Sequence, residues 1–323
     1  MPLPEPSAAA IDVPISTGHH NGNGHARQPR PWLSVIIPAY NEEDRLPQTL
    51  AELGAYFLKA IPLEDKMQHQ PPRWIEVILV SDGSTDATTR VFQAWLETMA
   101  NNPAWHCQAT LVAYPHRRGK GYAVAAGIRQ ARGQWCLLYD ADASTPIEEL
   151  ERLLPLAWQH PRAVLIGSRA KAATDTAVTA KWQRRLLGRV FNRLLGRLTP
   201  GIEDTQCGFK LFPGKLAKAL FAKQTQFGFA FDVEILHMAL RNGVSVLEVP
   251  INWRHVSGSK IHLLADGLKM LLSVLRIALN SGWGHYRLRA KEPAYRLYSP
   301  GQLRQTVTQA ERLFTSEEKQ SAG

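Results

Sequence analysis

Residues 74–84 read Trp-Ile-Glu-Val-Ile-Leu-Val-Ser-Asp-Gly-Ser, a short apolar run that stops at a cluster of turn-forming residues. Residues 32–38 have the same character, because a run rich in β-branched side chains ends there at Pro38. Runs of this kind are typical of strands that are buried on both faces of a parallel sheet. Residues 42–57, which lie between the two runs, show helical spacing of apolar side chains and supply the crossover that parallel strands need. The beginning of the chain therefore predicts a β-α-β unit.

The alternation of strands and helices continues along the chain. Apolar patterns predict further strands over residues 110–114, 134–139, 164–167, 209–212 and 245–253, and helices over residues 85–99, 121–132 and 231–242. The helix at 85–99 is expected to begin with Asp86 as its cap. This order favours an α/β fold with a mostly parallel, Rossmann-like sheet flanked by helices. Such sheets bind ligands at the carboxyl ends of their strands, where Asp82, Asp140 and Asp142 fall.

The charge of the chain indicates anionic partners. Its 323 residues include 38 Lys and Arg against 28 Asp and Glu, a formal net charge of +10. Such an excess suits nucleic acid, anionic lipid or a phosphorylated substrate. Residues 182–198 place five arginines among leucines, and a surface that is both apolar and basic favours a membrane over a nucleic-acid groove. We therefore expect no nucleic-acid partner.

The termini and the cysteines bear on the cellular compartment. Residues 1–30 lack an apolar core and are rich in Pro, Gly, Ser, Asn and His, which predicts a disordered tail and not a secretory signal. Three widely spaced cysteines without a CxxC pair indicate neither a disulfide framework nor a zinc site. Residues 263–279 come nearest to the roughly 18 uninterrupted apolar residues of a spanning helix, but three charged residues interrupt them. We expect a cytoplasmic protein that is peripherally associated with the cytoplasmic face of a membrane.

One large domain with additions is the predicted organisation. A disordered tail at 1–30 precedes the domain at 31–260, an amphipathic membrane-interface region follows at 261–290, and a polar tail closes the chain at 291–323. The amphipathic segments at 182–198 and 263–279 are predicted to be interfacial helices. Burial against the domain or in a homo-oligomer is the alternative for both segments.

Asp140 and Asp142 form a carboxylate pair at the end of the strand predicted for residues 134–139. Two carboxylates at this spacing can hold one hard divalent cation, Mg²⁺ or Mn²⁺, and leave coordination positions for a diphosphate. The pair alone is a weak signal, because surface loops contain such pairs often. Its position strengthens the prediction, since the pair ends a strand of the β-α series and residues 144–146 then begin another helix.

Several motifs, taken in order, resemble those of family 2 glycosyltransferases of the GT-A fold. They lie at residues 34–42, 81–86, 118–121 and 140–142. Residues 204–212, 231–234, 252–253 and 258–260 are similar to the dolichyl-phosphate β-glucosyltransferase branch in particular. The resemblance covers about residues 32–283, and the order and spacing of the motifs make the set specific. The chain departs from the branch in one respect, because eukaryotic members carry an amino-terminal membrane anchor where this chain has a polar tail.

The resemblance implies a nucleotide-sugar pocket at the ends of the first strands. Its members would be Pro38, Ala39, Tyr40, Glu42, Asp82, Lys120, Asp140 and Ala141. Asp140 and Asp142 would bind the metal that bridges the donor diphosphate. Core packing is the alternative for Tyr40, and an ordinary turn is the alternative for the basic segment at 117–120.

The resemblance also implies an acceptor side that binds phosphate. Arg169 is similar to a family arginine that reaches the phosphates, Arg184 and Arg185 would add charge above the acceptor, and Ser259 with Lys260 would hold a lipid phosphate. Lipid contact is the alternative for the arginine pair, and a solvated surface position is the alternative for Lys260. Asp142, Asp204 and Arg169 are the predicted catalytic residues. We expect Asp232 and Glu234 to orient neighbouring basic groups.

These residues predict an inverting hexosyltransferase that uses a nucleotide diphosphate sugar. The resemblance implies a polyprenyl or dolichyl phosphate acceptor and UDP-glucose as the donor. A phosphate acceptor is already anionic near neutral pH and needs no carboxylate base. Alternatives within the fold are a GDP-mannose donor, or a soluble or glycan acceptor. An inactive transferase fold that binds anionic lipid is the alternative from another class of protein.

Overall fold

The computed structural model describes residues 31–60, 75–102, 107–169, 195–254 and 263–288. The chain divides into two compact units. The first unit runs to Glu148 and includes Arg254, and the second runs from Glu149 to Trp253 and includes the helix at 263–282. The predicted single domain at 31–260 stays a prediction, as do the two tails, which lie outside the described residues.

The described part of the first unit includes four parallel strands and three helices. In chain order these are β1 Leu33–Ala39, α1 Leu46–Ala60, β2 Ile75–Asp82, α2 Thr88–Ala100, β3 Cys107–Tyr114, α3 Lys120–Gln130 and β4 Trp135–Leu138. The strand order is β3-β2-β1-β4. The register pairs Leu33 with Ile75 and with Trp135, so the strands run side by side and end at one edge.

Burial explains why these sequences form central strands. Every residue of β2 is buried, and six of the seven residues of β1 are buried as well, which matches their nearly continuous apolar character. Helix α3 contains five Gly and Ala residues and packs closely on the sheet. A Cβ atom placed on Gly127 would lie 2.5 Å from Cγ2 of Ile36, so only glycine permits this approach.

The described part of the second unit includes three strands and four helices, besides a few helical residues at 195–198. In chain order these are α4 Leu150–Gln159, β5 Val164–Ser168, β6 Lys210–Pro213, α5 Gly214–Phe221, α6 Phe231–Arg241, β7 Val246–Pro250 and α7 Leu263–Gly282. Strand β5 is parallel to β7 and antiparallel to β6. The strands of the two units are thus mostly parallel, which confirms the predicted α/β fold class.

Element boundaries differ from the predictions where side chains compete for the backbone. Helix α1 begins at Leu46 and not at residue 42, because backbone N–H groups of residues 41–43 donate to side chains that follow β2. Helix α2 begins at Thr88, whose N–H donates to Asp86. Residues 147–149 form a 3₁₀ turn before α4, and the short α5 was not predicted. Strand β7 ends at Pro250, short of the predicted residue 253.

Within the described parts of the chain, no helix combines the length and apolar character needed to cross a membrane.

The close packing of α3 on β1 yields a stability prediction. Gly127→Ala should lower the free energy of unfolding by about 1–3 kcal/mol, because the added methyl group meets the stiff, β-branched Ile36. Gly196→Ala is the matched control, since its Cβ would meet no atom within 4 Å. Urea titrations of both variants measure the difference, and equal midpoints would contradict the packing argument.

Candidate active site

Asp82, the last residue of β2, organises the basic loop, which we define as residues 117–120. The side chain is buried, and its two oxygens accept the backbone N–H groups of Arg118 at 2.7 Å and Gly119 at 2.8 Å. Gly83 follows at φ +69°, and a Cβ there would lie 2.4 Å from the backbone nitrogen of Arg117. The predicted role of Asp82 in nucleotide binding stays a prediction, and its described contacts hold the loop in place.

The basic loop presents its cations to aromatic rings. The guanidinium of Arg117 lies 4.2 Å from the centre of the Tyr40 ring. Arg118 lies 4.8 Å from the ring centre of Tyr122 and donates to its hydroxyl at 2.5 Å. Tyr40 is half-buried and stacks under a cation at the edge of the sheet, so core packing alone does not describe it.

The turn after β1 is tied to the turn after β2. Asn41 has a φ of +54°, its N–H donates to Oγ of Ser84 at 3.1 Å, and its side-chain oxygen accepts the N–H of Thr85 at 2.8 Å. The N–H of Glu42 donates to Oγ1 of Thr88 at 2.7 Å. These bonds bring the predicted residues of both turns together.

Asp140 and Asp142 each face a cationic side chain. Nζ of Lys120 lies 2.6 Å from Oδ1 of Asp140, and a guanidinium nitrogen of Arg45 lies 3.5 Å from Oδ2 of Asp142. Arg45 also makes a bidentate pair with Glu42, at 2.6 and 2.7 Å. Burial on its own would lower the pKa of Arg45, but the hydrogen bond to Glu42 and the charges of Glu42, Asp142 and Asp140 raise it. Three carboxylates therefore surround one arginine that was not among the predicted site residues.

The chemistry of this carboxylate pair fits a divalent cation that is shared with a ligand. The side chains of Asp140 and Asp142 are 33% and 25% exposed, so both carboxylates are partly accessible to solvent. Among the described residues, no group of three or more His, Cys, Asp or Glu side chains could hold a metal ion. Two carboxylates supply only part of the six oxygen ligands that Mg²⁺ prefers, so an ion bound by this pair would leave positions for a diphosphate and water.

The segment that carries Asp142, residues 140–144, is held in a strained conformation from two sides. Ala143 is buried with a φ of +49°, a conformation that costs about 1–3 kcal/mol for a residue other than glycine. Oγ1 of Thr49 donates to the carbonyl of Ala141 at 2.7 Å. The backbone N–H of Arg254 donates to the carbonyl of Ser144 at 2.7 Å, and its guanidinium bridges the carbonyl of Ala143 and the carboxylate of Glu52.

In the second unit, Arg169 and Asp204 form one tightly bonded pair. Asp204 accepts the backbone N–H of Arg169 at 2.9 Å and two guanidinium N–H groups at 2.7 and 2.8 Å. The guanidinium also lies 5.7 Å from the centre of the Trp253 ring. Burial would raise the pKa of Asp204, but the hydrogen bonds and charge of Arg169 outweigh it, and the pKa lies below its ordinary value. Asp204 is therefore an ionised carboxylate that orients an arginine and is a weak base.

The acidic residues of α6 have separate roles. Asp232 pairs with Lys210, and both side chains are buried, which agrees with the expectation that Asp232 orients a basic group. The same expectation for Glu234 was wrong. Its carboxylate accepts the backbone N–H groups of Thr225 and Gln226 and the hydroxyl of Tyr286 at 2.7 Å, because the turn before α6 leaves those donors facing it.

The structure thus brings together the predicted residues of the first unit and, separately, those of the second. The first set is Pro38, Ala39, Tyr40, Glu42, Asp82, Lys120, Asp140, Ala141 and Asp142, and the second is Arg169 and Asp204. The predicted acceptor-phosphate residues Arg184, Arg185, Ser259 and Lys260 lie outside the described residues. Sequence reasoning missed Arg45, Thr49 and Arg254. Only Arg45 left a local signal, since it lies three residues after Glu42 and can pair with it.

Comparison with known proteins identifies the class of protein. A model of glycosyl transferase family 2 matches residues 34–221. The chain belongs to glycosyl transferase family 2, and the predicted hexosyltransferase class and GT-A-like fold are confirmed.

Similar proteins narrow the comparison to one branch of the family. The dolichyl-phosphate beta-glucosyltransferase of Homo sapiens is 34% identical over 266 residues, which cover 80% of this chain and 79% of the human protein. The enzyme of that name from Saccharomyces cerevisiae is 33% identical over 287 residues, 84% of this chain and 82% of the yeast protein.

Solved structures of the same fold come from Mycobacterium tuberculosis. Glucosyl-3-phosphoglycerate synthase in complex with phosphoglyceric acid has a TM-score of 0.52 at 17% identity, covering 77% of this chain and 80% of that one. The same enzyme with Mn²⁺, UDP-glucose and phosphoglyceric acid has a TM-score of 0.50 at 16% identity, covering 81% of both chains. At this level of identity the likeness concerns the fold.

The contacts of Arg254 predict an effect on metal affinity. If residues 140–142 carry the metal ligands, Arg254→Gln should weaken Mn²⁺ binding in the presence of UDP by about tenfold, because outer-shell groups that fix the ligands typically have effects of this size. Titration calorimetry measures the affinity directly. The matched control is Arg152→Gln, which removes a similarly exposed arginine paired with Glu149. Equal losses in both variants would contradict a specific role for Arg254.

The lowered pKa of Asp204 predicts a pH-dependent contribution to stability. The carboxylate is ionised and paired in the folded protein, so its contribution is complete above the ordinary aspartate pKa of about 3.9 and is lost as the pH falls through the lower, folded-state value. The difference in free energy of unfolding between wild type and Asp204→Asn should therefore stay constant from about pH 7 to pH 5 and narrow below about pH 4. Urea titrations at several pH values test this, and a difference that grows with acidity would exclude it.

Proposed function

We propose that the protein transfers glucose from UDP-glucose to a polyprenyl phosphate of the dolichyl type, with inversion at the anomeric carbon. The observation that carries the choice of acceptor is the Arg169–Asp204 pair. A carboxylate with a lowered pKa is a poor general base, so this pair suits an acceptor that arrives already ionised. A phosphate monoester has that property near neutral pH, with a second pKa of about 6.

The names of the similar proteins support the same acceptor and sugar. Human and yeast relatives are dolichyl-phosphate beta-glucosyltransferases, and the alignments span most of both chains. The Mycobacterium enzyme of the same fold was crystallised with Mn²⁺ and UDP-glucose. On that basis we propose the same sugar donor, divalent metal and lipid acceptor for this chain.

The edge of the first unit is suited to a nucleotide diphosphate. The basic loop places the guanidinium of Arg117 beside Tyr40, and Lys120 and Arg45 bring two positive charges to the carboxylate pair. Asp140 and Asp142 would hold Mg²⁺ or Mn²⁺, which when bound neutralises charge on the leaving nucleotide diphosphate. Positioning and charge neutralisation are then the main contributions of this edge to catalysis.

The second unit would serve the phosphate that attacks. Asp204 holds the Arg169 guanidinium in a fixed orientation, and an arginine fork matches the geometry of a phosphate group. In the transfer, a phosphate oxygen forms a bond to the anomeric carbon while the bond from that carbon to the diphosphate oxygen breaks. No proton has to leave the acceptor. We place this reaction at the cytoplasmic face of a membrane, where a lipid phosphate would be presented.

A donor panel tests the proposal. Purified protein is incubated with radiolabelled UDP-glucose or GDP-mannose, Mg²⁺, Mn²⁺ or EDTA, and a short polyprenyl phosphate or a soluble glycan. We expect label from UDP-glucose in the solvent-extracted lipid only when metal is present. Asp142→Asn should lower kcat by about 100-fold or more, whereas the exposed control Glu97→Gln should leave it unchanged. Label only from GDP-mannose, or only in the soluble glycan, would overturn the donor or the acceptor respectively.

The pH profile separates acceptor ionisation from base catalysis. With a phosphate acceptor, kcat/KM should rise with pH through about 6 as the phosphate loses its second proton. The same rise should persist in Asp204→Asn, at lower activity, because the carboxylate positions Arg169 and does not remove a proton. Loss of the rise in that variant would show that Asp204 acts as the base.

A further inference from the structure

Helix α7 presents large apolar side chains to solvent along one face. Leu272, Leu275, Leu279 and Trp283, the residue after the helix, are 59%, 41%, 58% and 80% exposed. Their spacing of three to four residues places them on a single stripe. Lys269 and Arg276 are exposed on the same side. We call these six residues the outer face of α7.

The inner face of the same helix is already packed. Val274 and Ile277 are fully buried, and Oγ of Ser281 lies 2.8 Å from Nε2 of His237 on α6. The side chain of Asn280 contacts Thr225 at 3.3 Å. The orientation of the helix is therefore fixed by its inner face. The exposed stripe is a property of the folded unit and not of a loosely attached segment.

From Lys269 onward the charged residues have one sign, while Asp266 lies nearer the beginning of α7. Residues 269–288 contain Lys269, Arg276 and Arg287 and no Asp or Glu. Two more cations lie at the end of the helix, where Arg241 donates to the carbonyl of Ser281 and Lys223 to that of His285. Leucines with an aromatic residue and flanking cations are typical of helices that lie in the interface of an anionic bilayer. A second copy of the same face would bring these like charges together.

We propose that the outer face of α7 binds an anionic phospholipid bilayer, with the helix lying in the plane of the interface. The leucines and Trp283 enter the boundary between headgroups and acyl chains, and Lys269 and Arg276 contact lipid phosphates. The membrane setting of this proposal rests on the proposed function, because a lipid acceptor is presented at a membrane. Binding of the protein to lipid is nevertheless measured without any substrate.

Vesicle sedimentation tests the proposal with the full-length protein. We expect it to sediment with phosphatidylcholine vesicles that contain phosphatidylserine, and less so as salt increases. The triple variant Leu272→Ser, Leu279→Ser, Trp283→Ser should lose at least about tenfold in partition coefficient, since the apolar area that enters the bilayer sets the affinity. The matched control Trp158→Ser, Phe229→Ser removes large exposed apolar side chains elsewhere in the second unit and should partition like wild type.

The cations are tested separately. Lys269→Gln with Arg276→Gln should weaken binding to the anionic vesicles by about fivefold per charge, near 1 kcal/mol each, and leave binding to pure phosphatidylcholine unchanged. Failure of the wild-type protein to bind anionic vesicles, or equal binding by the triple variant, overturns the proposal. If residues 289–323 covered the outer face of α7, the wild-type protein would fail to bind the vesicles, and this outcome too would overturn the proposal.

Two further measurements distinguish loss of lipid binding from misfolding of the triple variant and from binding of a second copy of the chain. Thermal melts show whether the triple variant is folded, and light scattering reports its oligomeric state. A wild-type dimer that the triple variant dissociates, with vesicle binding absent in both, would assign the face to a second copy and overturn the lipid proposal. Glucosyl transfer to a short, water-soluble polyprenyl phosphate without vesicles should be equal in wild type and variant. Absence of transfer in both would count against the proposed function and not against the lipid surface.

Discussion

The buried carboxylate of Asp82 is the interaction on which the arrangement of the first unit depends. A charge at this depth needs hydrogen-bond partners, and the backbone N–H groups of Arg118 and Gly119 supply them. These groups lie at the amino-terminal end of α3, whose dipole favours a negative charge there. Because the loop is fixed in this way, Arg117 comes to lie over Tyr40 and Lys120 reaches Asp140. One side chain at the end of a strand thus positions the aromatic, cationic and acidic parts of the candidate site.

The two units use arginine–carboxylate pairs with different consequences. Arg45 is shared between Glu42 and Asp142, so the partly exposed carboxylates of the first unit are balanced by cations and remain open to solvent. Arg169 is bound by the mostly buried carboxylate of Asp204, which sets its orientation. In the first unit, Arg45 can turn to an incoming anion while the carboxylates bind a cation. In the second unit, the guanidinium of Arg169 keeps one orientation. This division agrees with a donor that binds with a metal and an acceptor that binds as a phosphate.

The fold and half of the site could be predicted because their signals are local. Buried parallel strands appear as continuous apolar runs, and the polar residues that follow them mark the ligand-binding edge, as at Asp82 and Asp140. Arg254 could not be predicted, since its partner Glu52 lies 202 positions away and no periodicity links the two. The pairing of Arg169 with Asp204 spans 35 positions, so the roles of both were implied only by family resemblance. Helix α5 has eight residues, too few for its helical spacing to stand out.

The positive φ angle of Ala143 has a consequence for how ligands associate. The backbone around Asp142 keeps this conformation because Thr49 and Arg254 bind the carbonyls on either side of it. A ligand that meets such a preformed loop spends little of its binding free energy on ordering the chain. Association with this edge should therefore proceed at a rate limited by encounter and desolvation, without a preceding rearrangement of the polypeptide.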